Sequence, residues 1–95
     1  MSKKYIVKDE SIVTYKYKTG IYITQTNSSE CFVDSKNHAL ETVEFLADGY
    51  EKFLESNKHL VARVCDDEDF RIIIGRDITS NVDRIYEFRL VILER

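Results

Sequence analysis

Apolar positions recur at steps of three and four along one stretch only: Leu40, Val43, Leu46, Ala47, Tyr50, Phe53 and Leu54. At about 3.6 residues per turn these fall on one stripe, so the spacing predicts an amphipathic helix over residues 34–57 with that stripe buried. Glu41, Glu44, Asp48, Glu51 and Glu55 occupy the remaining surface and make it acidic. Asp34, Ser35 or Asn37 can cap the first turn by accepting from a free amide, and Asn57 and Lys58 close the element. Gly49 interrupts the pattern, either as a tolerated glycine or to allow close approach of another backbone.

Elsewhere the period is two. Residues 4–8 read as a short strand, Asp9-Glu10 as a turn, and residues 12–18 as a half-exposed strand with Val13, Tyr15 and Tyr17 on one face. Thr19-Gly20 supplies a tight connection into a strand over residues 21–26, with Ile21 and Ile23 inward, and Asn27-Ser28-Ser29 reads as a loop. Beyond the helix, Leu60, Ala62 and Val64 form the inward set of a strand. The tract Asp66-Asp67-Glu68-Asp69 follows as a solvated hairpin tip, because four consecutive carboxylates are costly to bury without partners. Phe70, Ile72 and Ile74 are expected inward on the return strand, residues 75–83 form a polar connection, and Tyr86, Phe88, Leu90 and Ile92 alternate along a last strand suited to a central position. The expectation is an α+β fold of one domain: an antiparallel sheet of five or six strands, ordered βββ-α-βββ along the chain, with one helix on one face.

A helix about 10 Å wide shields only two or three strands spaced about 4.8 Å apart. The outward sets contain Ile6, Val61, Ile73, Val91 and Leu93, so apolar surface is left over, which predicts a homodimer or another protein covering it.

Composition narrows the class. With 95 residues and 43% apolar content the chain supports a single core. No apolar run of about 18 residues and no basic-plus-apolar leader occurs, so neither a membrane span nor a signal peptide is expected and the cytoplasm is the expected compartment. Cys31 and Cys65 lack both a disulfide framework and metal-ligand spacing and are read as free, partly buried thiols. The absence of proline, with many Lys, Ile, Asn and Tyr, is a usage common in AT-rich genomes, bacteriophages among them, and Met1-Ser2 reads as a natural start. Charge is uneven: the total is −3, yet residues 30–69 hold eleven acids against four bases, a net −7.

No stretch carries a catalytic, cofactor, phosphate-binding or metal signature. His38 and His59 flank the helix without a nucleophile context, and the acidic tract lacks the calcium-loop spacing. The function expected is therefore binding rather than catalysis: an inhibitor or adaptor that engages a basic surface on another protein through Glu41, Glu44, Asp48, Glu51, Glu55, Asp66, Asp67, Glu68 and Asp69. The alternative is a single-stranded nucleic-acid platform on the other face of the sheet, where Lys16, Lys18, Arg63, Arg71 and Arg89 would meet phosphates and Tyr22 would stack on a base.

Overall fold

A computed structural model describes residues 4–78 and 82–95. Residues 1–3, and residues 79–81 within the expected polar connection, lie outside the described residues. The elements are β1 (Tyr5–Tyr17), β2 (Tyr22–Val33), α1 (Lys36–Ser56), β3 (Leu60–Asp66), β4 (Phe70–Ile78) and β5 (Val82–Glu94). They form one antiparallel sheet in the order β2-β1-β5-β4-β3 with α1 packed on one face, an α+β fold with the last strand central.

Two strands precede the helix rather than three. Asp9-Glu10 does not turn: both residues stay in the ladder, Asp9 between Ser29 and Leu90, Glu10 between Ser28 and Arg89. Asn27-Ser28-Ser29 likewise continues β2, because β1 presents an unbroken partner from Tyr5 to Lys16. Pairing along a 13-residue strand overrides local turn preference. The hairpin does turn at Gly20, whose φ of 94° suits the residue before Ile21, with Tyr17 N–H donating to Ile21 O at 2.9 Å.

Ser35 caps α1, its Oγ accepting from His38 N–H at 3.1 Å. At the other end Lys58 adopts φ 61°, while Lys58 N–H reaches Glu55 O at 3.0 Å and His59 N–H reaches Leu54 O at 2.9 Å, a Schellman closure. Ala39, Val43, Ala47 and Leu54 are buried against Val7, Val33, Ile73, Phe88, Leu90 and Ile92; Leu40, Leu46 and Tyr50 pack beside them. Phe53, expected in the buried stripe, is 46% exposed.

The inward and outward faces of β3 and β4 are the reverse of the expectation. Arg71, Ile73 and Gly75 face the helix, and Phe70, Ile72 and Ile74 lie on the open face beside Val91, Arg89 and Glu87. Leu60 and Val64 are exposed while Val61 and Arg63 turn towards α1. Apolar residues alternate on both faces of β4, so hydrophobicity did not decide. Space and charge did: Leu54 occupies the place a Cβ on Gly75 would take, 2.5 Å from its Cδ2, and both arginines meet helix carboxylates. Ile21 and Ile23, expected inward, are 58% and 44% exposed because the β1–β2 hairpin runs past the helix. The molecule is 52 Å long, whereas 21 helical residues span roughly 31 Å.

Candidate docking groove and charged faces

The acidic side of α1 leans over β3 and β4, where two arginines meet it. Arg71, itself buried, ion-pairs with Glu44. Arg63 pairs with Glu51, approaches Asp48 at 3.6 Å, and donates through Nη1 to Asp66 at 3.0 Å. The hydrogen bond that Arg63 donates to Glu51, helped by the one it donates to Asp66, outweighs partial burial and holds the Arg63 guanidinium more firmly protonated than usual. Asp66 ends β3, so the hairpin tip is narrower than the acidic tract: Asp67 N–H donates to Phe70 O at 2.9 Å, enclosing Glu68 and Asp69, and Lys36 pairs with Asp69. The nine acids expected to act together are thus divided. Glu44, Asp48, Glu51, Asp66 and Asp69 engage basic side chains of the same chain, whereas Glu41 and Glu55 stand exposed on the helix.

The residues of the alternative nucleic-acid face do not share a surface. Tyr22, Lys16 and Arg89 lie on the open face, with Lys16 Nζ 5.6 Å from the Tyr22 ring and Arg89 bonded to Glu87. Lys18 sits in the hairpin turn. Arg63 and Arg71, expected outward, point to the helix side and are neutralised there, because the face reversal of β3 and β4 carries them to the acids of α1.

The opposite flank of the helix is different. Here α1 overhangs β1 and β5, and a groove of about 470 Å³ opens between them, lined by Val13, Phe45, Leu46, Tyr50, Phe53, Tyr86 and Phe88 with Ser11 and Gly49. Its floor is an aromatic stack. Tyr50 lies on Phe88 with ring centroids 4.0 Å apart and planes 8° from parallel, Phe88 continues to Tyr86 at 6.1 Å, and Phe53 meets Tyr86 edge-on at 5.8 Å. Buried His59 supports Tyr86 from behind, edge-on at 5.2 Å. On the rim Phe45 is 78% exposed. Gly49 leaves the mouth wide, since a Cβ there would touch nothing within 4 Å; among the described residues no other backbone approaches it closely.

A second hollow of about 250 Å³ adjoins it through Ser11 and Tyr50, walled by Asp9, Asn27, Ser28 and Ser29. Tyr50 donates its hydroxyl to Asp9 Oδ2, and Asp9 Oδ1 is buried without a donor. Burial first, and the hydrogen bond to Asp9 second, push the Tyr50 hydroxyl well above the ordinary tyrosine range. The compound groove is therefore apolar at one end and polar at the other, where Asp9, Ser11, Asn27, Ser28 and Ser29 wall it.

Reading the sequence alone missed this site. Phe45 falls off the buried stripe and Asp9 reads as a turn residue, so the one sequence signal is an aromatic outside the stripe at i−4 from Gly49 and i−8 from Phe53. Cys31, expected to be partly buried, is exposed on β2; Cys65 is half-buried, and both are free thiols. Among the described residues no helix is long and apolar enough to cross a membrane. Comparison with protein-family models, with curated proteins and with solved structures finds no match for this chain.

Proposed function

We propose that this chain is a protein-binding module, an inhibitor or adaptor, that receives a basic amphipathic segment of another protein in the groove between α1 and strands β1 and β5. The observation that carries this reading is an open aromatic trough that continues through Ser11 and Tyr50 into a polar hollow walled by Asp9, Asn27, Ser28 and Ser29. An aromatic or aliphatic side chain fills the trough, where rigid rings give large contact area at little entropic cost. A cationic or amide donor further along the segment meets the polar hollow beside the Asp9 carboxylate, where a charge-assisted hydrogen bond is of the stronger kind. Exposed Glu41 and Glu55 on α1, together with Glu68 at the hairpin tip, favour a basic partner over an acidic one during encounter. The reading includes self-association, because Tyr22, Ile23 and Phe32 on β2 remain exposed in the single chain.

A displayed peptide library tests it. Selection on the wild-type chain should enrich peptides that combine an aromatic or aliphatic residue with Arg or Lys. Phe45→Ser/Phe53→Ser should weaken the winners at least tenfold, and Asp9→Asn should weaken them while relaxing the preference for a cation. Enrichment of no common motif, or equal binding by the double serine variant, would reject the groove.

A further inference from the structure

The sheet has two edges, and they are built differently. β3 is seven residues long, is broken by a bulge between Arg63 and Cys65, and ends in an acid. Those are the devices that keep an edge from pairing with another chain. β2 has neither the short length nor the bulge. It is twelve residues long, pairs with β1 in unbroken register from Tyr22 to Val33, and contains no Lys, Arg or Pro and only one acid, Glu30. Because Tyr17 N–H donates to Ile21 O, the odd-numbered residues of β2 bond to β1. Tyr22, Thr24, Thr26, Ser28, Glu30 and Phe32 therefore direct their N–H and C=O groups outward, away from the sheet.

We infer that two copies of the chain pair antiparallel through β2 about a two-fold axis at Asn27, joining their sheets into one continuous ten-stranded sheet. This deepens the self-association just proposed and is independent of what the groove binds. Outward-bonding residues must face one another across such an axis, which restricts the register to even sums of residue numbers. Centring on Asn27 uses the whole strand. On the open face Tyr22 of one copy then lies opposite Phe32 of the other, Thr24 opposite Glu30, and Thr26 opposite Ser28; on the helix face Ile23 lies opposite Cys31, and Gln25 opposite Ser29. The exposed apolar groups at the two ends of β2 thus cover one another. The polar groups meet in the middle, and Glu30 faces a threonine instead of its own twin. A centre at Glu30 would bring the two acids together and leave Tyr22 and Ile23 without partners. Three pairs and their symmetry mates each exchange two backbone hydrogen bonds. Asn27 and Ser29 also wall the polar hollow beside Asp9, so the axis brings the polar ends of both grooves together. The dimer carries one trough with an aromatic seat at each end, suited to a two-fold or extended partner.

Light scattering and directed cross-linking test the interface. In a Cys31→Ser/Cys65→Ser background, Asn27→Cys should form a disulfide-linked dimer under mild oxidation. Residues facing themselves across the axis sit about 4.5 Å apart by Cα, within disulfide reach. Gln25→Cys should not cross-link, its mate lying roughly 13 Å away along the strand. The native chain should run at twice its 11.2 kDa mass at about 50 μM. Thr26→Pro should raise the dissociation midpoint at least tenfold while leaving circular dichroism unchanged, since the Thr26 N–H takes no part in the β1 ladder. A monomer at that concentration overturns the dimer itself. A dimer that persists in Thr26→Pro, or that cross-links equally through position 25, overturns the β2 interface.

Discussion

On one side of α1 the carboxylates of Glu44, Asp48 and Glu51 are held by Arg71 and Arg63, and Leu54 fills the space above Gly75. On the other side Phe45, Gly49 and Phe53 look out over an aromatic floor that none of the described residues covers. Both flanks belong to the same amphipathic helix and rest on the same sheet, yet one is closed by packing and ion pairs and the other is open. A helix sits where its neighbours let it approach. Gly75 lets Leu54 of α1 settle over β4, whereas on the other flank the rings of Tyr50, Tyr86 and Phe88 form an open floor. The first flank is packed shut, and the second is the one to which binding is proposed.

The sharpest way to break this contrast is to damage the closed flank. Leu54→Ala removes a fully buried side chain and should cost about 2–5 kcal/mol. Gly75→Ala pushes a methyl into Leu54 and should cost roughly 1–3 kcal/mol. Because the two changes share one space, the double variant should be more stable than their sum implies, read as a positive coupling in denaturant titrations. Strict additivity would show that Leu54 does not depend on Gly75. A smaller effect of opposite sign is expected on the open flank. Gly49→Ala lies where a Cβ meets nothing, so it should stabilise by up to about 1 kcal/mol in denaturant titrations. Loss of stability there would mean that another part of the chain folds over the groove.

The smallest effect is electrostatic and lies at the junction of the two hollows. The Tyr50 hydroxyl titrates above its unfolded value near 10, so the folded state holds that proton more tightly. The stabilisation is complete below about pH 10 and is lost as pH rises towards the folded value; partial exposure screens it and keeps it modest. Tyr50→Phe should flatten that alkaline decline in thermal melts. An unchanged decline would assign it to other groups.

The period-3.6 stripe, the alternation along β5 and the polar hairpin signals are local properties of the chain, and they placed the helix, the central strand and the α+β class where the structure has them. Local pattern failed where two chemistries compete within one segment. Asp9-Glu10 and Asn27-Ser28-Ser29 carry turn residues, and only a full-length partner strand makes them extended. β4 is apolar on both faces, so its orientation rests on where Gly75 and Arg71 meet α1, contacts between residues far apart in the chain. The acidic face was visible as composition, but its neutralisation by Arg63 and Arg71 was not. The groove was invisible for the same reason: Phe45, Tyr86, Val13 and Asp9 are unremarkable singly, and only the docking of one helix across a longer sheet brings them to a common hollow. Periodicity specifies which face of an element is buried when one face is apolar and the other polar. Where both faces qualify, packing space and charge pairing in the assembled fold decide.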